Sequence, residues 1–338
     1  MSKRLVALLL VLVLVLSVLV GCGKTETPGG GEEPGGEEPG GGKVETVYVN
    51  IATGGTGGVY YPLGGALAKV YNDKLENIVA NSQSTGASVE NIGLILDDEA
   101  EIAFIQNDIT YYAAEGVEMF DDKDKATDLR GMAIWYPEVV QIVASKASGV
   151  KTVEDLKGKK VAVGAPGSGT EANARQILEA HGITYDDINA DYLSFADAAT
   201  NLQDGNVDAA FVTAGLPTAA IVELTTSTDV VVVQVDKAKI AELNAQYPFY
   251  TEVVIEAGTY KDQDADVVTT AVMAMLVVHK DLDEELMYEL TKAMFENKDI
   301  IDETHDRGKD LKLDTALDGM PIELHPGAER YYNEKGIK

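Results

Sequence analysis

Four times in this chain an apolar β-type run ends in a glycine- or hydroxyl-rich turn, and each turn opens a helical pattern. The turns are Thr53-Gly54-Gly55-Thr56-Gly57-Gly58-Val59-Tyr60-Tyr61, Ser82-Gln83-Ser84-Thr85-Gly86-Ala87-Ser88, Gly164-Ala165-Pro166-Gly167-Ser168-Gly169-Thr170-Glu171 and Thr213-Ala214-Gly215-Leu216-Pro217. Strands alternating with helices predict parallel sheets covered by helices on both faces. Val47, Val49 and Ile51 alternate as a first strand; Leu63, Ala66, Leu67 and Val70 share one helix face. Further strands are predicted at Asn77–Ala80 and Glu101–Ile105, with Val89, Ile92, Ile95 and Leu96 on a helix between them. Ala133–Ser145 reads as a long extended segment. The pattern then restarts. Thr152 with Asp155 reads as a capped start, Val161–Gly164 as a strand, and Thr170–Ala180 as a helix closed by Gly182. Ser194 with Asp197 is a second capping box; strands follow at Val207–Val212, Val230–Val235 and Val272–Val278. Two restarts imply an α/β fold of two lobes, each a mainly parallel sheet flanked by helices, with a cleft between. The expected division is 44–140 plus 275–338 for lobe 1 and 141–274 for lobe 2, joined by hinge strands near 137–145 and 268–278.

The first 43 residues do not belong to that fold. Lys3 and Arg4 precede a run, Leu5 to Val20, broken only by Ser17. The run is short for a bilayer span of about 20 residues, and it ends in Leu19-Val20-Gly21-Cys22, which resembles a bacterial lipobox. Residues 1–21 are therefore read as a lipoprotein signal peptide and Cys22 as the lipidated residue. It is the only cysteine in the chain. Residues 22–43 follow as a tether; after Cys22 it holds nine glycines, three prolines, five glutamates and no large apolar side chain. Such a stretch cannot offset its ordering entropy. The expectation is an extracytoplasmic chain held to the membrane by lipid.

Charge and composition exclude several classes. Lys and Arg total 27 against 56 Asp and Glu, a net charge of −29 that becomes −31 once Lys3 and Arg4 are removed. No basic face is available for nucleic acid. One cysteine cannot form an internal disulfide or a Cys-based zinc site. The four histidines, His181, His279, His305 and His325, are too far apart in sequence for a helical metal pair. Asp121-Asp122-Lys123-Asp124 lacks the glycine and final glutamate of a calcium loop. No GxSxG elbow or SxxK pair is present, and the glycine-rich turns lack the Lys-Ser/Thr of a P-loop. No metal and no cofactor are expected.

The four turns remain. In open α/β sheets, ligands sit at the carboxyl ends of strands, where helices begin. The unpaired N–H groups of a first helical turn and the helix dipole favour an anion there. Turns of this kind in both lobes point to an anion-binding cleft. Trp135 and Tyr136, before Pro137, either line that cleft or pack at the hinge.

The runs GTGGVYYPLGGALAKVYN, STGASVENIGLI, IAFIQND, DLKGKKVAVGAPGSGTEANARQIL, DGNVDAAFVTAGLPTAAI and HPGAERYYNEKG resemble the TAXI family, the solute-binding subunits of TRAP transporters. The resemblance implies a type II periplasmic-binding-protein fold that takes up small carboxylates such as glutamate, glutamine or 2-oxoglutarate. It also implies a monomer that delivers its solute to membrane permease subunits driven by an ion gradient. By motif it implies ligand contacts from Gly57, Tyr60, Tyr61, Ser84, Thr85, Ser88, Gln106 and Asn107 in one lobe. The other lobe would offer Ser168, Gly169, Thr170, Thr213, Ala214, Gly215 and Pro217, with Trp135 and Tyr136 at the crossover. More common receptors of that transporter class clamp a carboxylate with arginine. Here Arg130, Arg175, Arg307 and Arg330 all lie outside the glycine-rich turns, so helix starts and hydroxyls are expected to hold the anion. The alternatives are a solute-sensing surface lipoprotein, a receptor of an ABC importer on the same fold, and an exported enzyme using the cleft.

Overall fold

The computed structural model describes residues 46–337; the signal peptide, Cys22 and the tether fall outside them. The elements in chain order are β1 (Val47–Ala52), α1 (Tyr60–Lys74), β2 (Ile78–Gln83), α2 (Ser88–Leu96), β3 (Ile102–Gln106), α3 (Asn107–Glu115), β4 (Leu129–Ser145), β5 (Lys160–Ala162), α4 (Gly169–Ala180), β6 (Asn189–Asp191), α5 (Phe195–Gln203), β7 (Ala209–Ala214), α6 (Ala219–Ser227), β8 (Val230–Val233), α7 (Lys237–Gln246), β9 (Thr251–Ile255), β10 (Val267–His279), α8 (Glu284–Glu296), α9 (Lys298–Thr304) and α10 (Pro326–Glu334). Among the described residues no helix is long and apolar enough to cross a membrane.

The strands run in the order β2-β1-β3-β10-β4-β7-β5-β6, with β8 added to β4 and β9 to β10. The outer strands of each half pair in parallel, as the alternating pattern predicts. The central strands do not: β10 is antiparallel to β3 and to β4, and β4 is antiparallel to β7. The sheet is therefore mixed. A chain that leaves one lobe along β4 and returns along β10 must run the two strands in opposite directions.

These two strands carry the link between lobes. β4 has 17 residues, roughly 56 Å at about 3.3 Å each. Its first part pairs with β10, and Val139–Ala144 pair with β7. In β10, Val267–Ala271 pair with β9 and Ala274–Val277 with β3. The change of partners falls at Pro137–Val139 and Ala271–Ala274, within the segments expected as hinges. There the ladder is irregular between Met273 and Met275, opposite Pro137, a residue that sheets tolerate at bulges because it donates no hydrogen bond.

Burial on both faces follows from the near-continuous apolar runs of the central strands. In β3, Ile102 and Phe104 join one core while Ala103 and Ile105 join the other. Caps set the helix starts: Ser168 Oγ accepts from Glu171 N at 3.2 Å and Ser194 Oγ from Asp197 N at 3.2 Å. Thr152 and Asp155 form the expected capping box, but on a single 3₁₀ turn. Gly182, at φ 68°, closes α4, and His181 Nδ1 lies 2.8 Å from the Ile177 carbonyl.

Candidate functional site

A cavity lies between the two halves of the molecule. Lobe 1 lines it with Gly54, Gly55, Gly58, Val59, Tyr60, Thr85, Gly86, Ala87, Ser88, Gln106 and Glu138. Lobe 2 lines it with Ala165, Ser168, Gly169, Thr170, Ser194, Phe195, Thr213 and Ala214. The starts of α1, α2, α4 and α5 and the ends of β3 and β7 all meet here. Its volume, counted as room for the centres of water-sized spheres, is about 60 Å³. One water needs about 10–15 Å³ by that measure, so the space corresponds to roughly four to six waters. That suits a solute the size of a small amino acid or short organic acid. No Lys, Arg or His lines it, and among the described residues no His/Cys/Asp/Glu cluster could hold a metal.

The lobe 1 wall is polar and already tied together. Thr85 Oγ1 donates to the Thr53 carbonyl at 2.9 Å, and Asn91 Nδ2 reaches the carbonyls of Thr53 and Phe104 at 2.6 and 2.8 Å. Ser88 Oγ accepts from Gln106 N at 3.2 Å. Ala87 sits at φ 78°, ψ −143°, a backbone region open essentially to glycine; such strain costs of order 1–3 kcal/mol. At the floor is Glu138, 3% exposed. Tyr60 Oη donates to its Oε2 at 2.7 Å and Tyr136 Oη lies 3.5 Å from its Oε1, and Gln106 lines the cavity with it. Burial pushes the Glu138 carboxyl up to about 8, against the pull of those donors.

The lobe 2 wall is made of small residues and caps, and it closes tightly on lobe 1. The Gly167 carbonyl accepts from Val89 N and Glu90 N at the start of α2, at 3.0 and 3.3 Å. In return, the Gly57 carbonyl accepts from Ala220 N at the start of α6, at 3.2 Å. Each lobe thus caps a helix of the other. The glycines expected to admit a ligand also admit the opposing lobe. A Cβ on Gly169 would lie 1.9 Å from Gln106 Oε1, and one on Gly57 would lie 3.2 Å from Ala196 N and from Ala220 Cβ. Beside the cavity a buried polar network ties α3 to α4. Asn173 Nδ2 donates to Asp108 Oδ2 at 2.9 Å and to Tyr250 Oη at 2.8 Å, and Tyr250 donates to Gln176 Oε1 at 2.6 Å. Burial pushes the Asp108 carboxyl up to about 7.

Of the residues carried by the sequence, Tyr60, Thr85, Ser88, Gln106, Ser168, Gly169, Thr170, Thr213 and Ala214 converge on this cavity. The others do not line it, each for a definable reason. Gly57 serves the lobe contact just described. Tyr61 is one-third exposed on the outside of α1. Ser84 Oγ is spent on the Gly54 carbonyl at 3.0 Å. Asn107 Oδ1 accepts from Met273 N at 3.0 Å, at the irregular point of the hinge ladder. Trp135 packs on Phe104, ring centroids 5.4 Å apart, and its Nε1 donates to the Arg307 carbonyl at 2.9 Å, so it packs in the core of β4 and not on the cavity. Tyr136 lies behind Glu138. Gly215 makes room for the Arg307 side chain, whose Cγ would be 2.7 Å from an added Cβ. Pro217 faces a separate surface depression formed with residues 302–306 and Lys309.

The four arginines are accounted for elsewhere: Arg130 pairs with Glu323 at 3.6 Å, Arg175 with Glu118 at 3.2 Å, Arg307 with Asp310 at 2.8 Å and Arg330 with Glu285 at 2.9 Å. Sequence reasoning missed Glu138, Ser194 and Phe195 as cavity residues. For Glu138 a signal existed: it is a lone acid inside a strand buried on both faces. Gln141, the other buried polar side chain near it in that strand, is a neutral amide and is satisfied within the protein by Thr218 and Tyr260.

Two α/β lobes on one mixed sheet, joined by paired crossover strands with a cavity between them, form the two-lobe architecture of periplasmic solute-binding proteins. Within that class the chain belongs to the NMT1-like family, whose model matches residues 51–336. A solved structure from Bordetella bronchiseptica RB50 is 19% identical, covering 87% of this chain and 84% of its own at a TM-score of 0.51. PhnD1 from Prochlorococcus marinus (MIT 9301), solved in complex with methylphosphonate, is 11% identical, covering 86% and 96% at a TM-score of 0.51. At these identities the likeness establishes the fold. A protein of Escherichia coli (strain K12), with the provisional name of an aliphatic sulfonates-binding protein, is 41% identical over 73 residues. That match spans 22% of this chain and 23% of the relative's length.

Proposed function

We propose that this chain is an extracytoplasmic solute-binding receptor that encloses a small anionic solute between its lobes and delivers it to an import permease. The cavity itself carries this reading. It is small, is walled by both lobes, gathers helix starts, and contains no cationic side chain to neutralise an anion. Helix N-termini and hydroxyls are what remain to hold an oxoanion. The relatives' names, one for sulfonate binding and one for a methylphosphonate complex, support binding rather than turnover and favour a sulfonate or phosphonate; a carboxylate rests on the TAXI-like motifs. The relatives also favour an ABC importer as the partner. The second reading, a TRAP permease, rests on the order of the TAXI-like motifs. Lipid on Cys22 would keep the receptor at the membrane.

Mechanistically, a solute can favour the closed form only through its greater affinity for that form. The Gly167 and Gly57 carbonyl caps are contacts that closure makes and opening breaks. A thermal-shift panel of alkylsulfonates, phosphonates, glutamate, glutamine, 2-oxoglutarate and C4-dicarboxylates tests the receptor reading. A true solute at 100 times its Kd should add about 2.7 kcal/mol to stability; no shift from any compound would sink the proposal. Uptake in vesicles carrying the permease then separates the two partner classes. Dependence on ATP marks one and dependence on a sodium gradient the other.

A further inference from the structure

We infer that the solute carries a cationic amine as well as an anionic group, and that Glu138 is the residue that selects it; this rests on the receptor reading above. The lobe 1 floor is a concentration of acceptors. Two hydroxyls, Tyr60 Oη and Tyr136 Oη, are turned on the Glu138 carboxyl and so are not free for an anion. Beside them Gln106 Oε1 is buried without a hydrogen-bond partner, and both Gln106 and Glu138 line the cavity. Across from them Thr213 Oγ1 is likewise buried and unpartnered. Among the described residues, no Lys, Arg or His forms an ion pair with Glu138.

A buried carboxylate without a cation is costly. An ammonium offers three N–H donors and a positive charge, which would answer Glu138 and the orphaned Gln106 oxygen together. A purely anionic solute would answer neither as an acceptor. The anionic end of the solute would then meet the lobe 2 helix starts at Ser168–Thr170, leaving the two walls complementary to the two ends of a zwitterion.

The groups facing Glu138 are Tyr60 on α1, Tyr136 on β4, Gln106 at the end of β3 and, more distantly, Asp108 on α3. The Arg307–Asp310 pair lies beyond Tyr136. With the Glu138 carboxyl up at about 8, an arriving ammonium displaces its proton. At pH 7 binding should release close to one proton per solute, about 0.9 for a group titrating at that value.

The test compares each amine with its amine-free counterpart by calorimetry on the full mature chain: taurine against ethanesulfonate, 2-aminoethylphosphonate against ethylphosphonate, glutamate against glutarate. The expected result is at least a tenfold preference for the amine in the pair that binds. Proton release, read from buffers of different ionisation enthalpy, should accompany it. Glu138→Gln should bring the preference within threefold by weakening the amine, and should remove the Glu138 share of the proton release. Asp108 does not change in this variant, so any release it contributes persists. Tyr60→Phe removes one donor and should move the pH of half-maximal amine affinity upward. Equal affinity for both members of every binding pair overturns the amine assignment alone. A preference that survives Glu138→Gln overturns the role of Glu138. Failure of all six compounds to bind counts against the receptor reading itself and removes the ground for this inference.

Discussion

The two walls of the cleft begin from one local pattern, a strand ending in a glycine- and hydroxyl-rich turn, and arrive at different chemistry. On lobe 1 the hydroxyls and amides of Thr85, Asn91 and Ser88 are bonded to their own lobe, and the floor is a buried acid. On lobe 2 the serines cap α4 and α5, the side chains are mostly small, and Gly169 is open enough to receive Gln106 from across the cleft. The difference teaches that a turn motif by itself does not say whether it reads a solute or serves as a lid. The lobe 1 wall is preorganised to discriminate. The lobe 2 wall is shaped to approach.

The largest expected effect breaks the approach. Gly169→Val places carbon where Gln106 Oε1 already lies, so the lobes cannot close. Affinity should fall at least 100-fold, about 2.8 kcal/mol, by calorimetry, with weak binding to lobe 1 retained. Near-normal affinity would show that lobe 2 is not a lid.

pH sharpens the contrast next, because both raised acids belong to lobe 1. The folded chain keeps Glu138 and Asp108 protonated at pH values where the unfolded chain has released those protons. Stability is therefore fully present below the ordinary carboxylate range and is lost as pH rises through about 7 for Asp108 and about 8 for Glu138. The melting temperature should fall by several degrees between pH 5 and 9. Glu138→Gln should flatten the upper part of that fall and Asp108→Asn the lower part. An unchanged slope in both variants would refute the assignment.

Asn173→Ala tests whether the contact beside the cavity holds the lobes together. It strips a partner from buried Asp108 and Tyr250, a loss of about 1–3 kcal/mol, read by urea unfolding. The same variant should weaken solute binding, since the contact spans both lobes.

The smallest effect tests the rigidity of the lobe 1 wall. Ala87→Gly relieves the backbone strain and should raise stability by about 1 kcal/mol after the entropy cost of glycine. A lower melting temperature would mean that the strain is absent.

Much of the fold was legible because periodicity and capping are local. β1, α1, α2, β3 and α4 follow from the spacing of apolar residues, and Ser194 with Asp197 marks the start of α5. Helix α3 was not legible as a separate element. It begins at Asn107 directly after β3, with no glycine or proline to punctuate the change. The three-residue strand β6 is too short to show a period. In the site, the turn residues Thr85, Ser88, Ser168 and Thr213 could be placed from their position at strand ends. Glu138 carried a signal, an acid in a buried strand, but not its role, because Tyr60 and Gln106, which give it meaning, lie 78 and 32 residues away in sequence.

The sequence by itself determined the alternation of strand and helix, the restart that makes two lobes, and the turns where helices begin. These depend on residues within a few positions of one another. Only the tertiary structure decided which side of each turn faces the cavity, and that Asn107 bonds to β10 and Trp135 packs on Phe104 instead of lining the cavity. It also decided that glycines at 57 and 169 make room for the opposite lobe, and that a single acid of β4 ends at the floor of the cleft. Those outcomes depend on groups brought together across the sheet and across the cleft, which neighbours in sequence cannot specify.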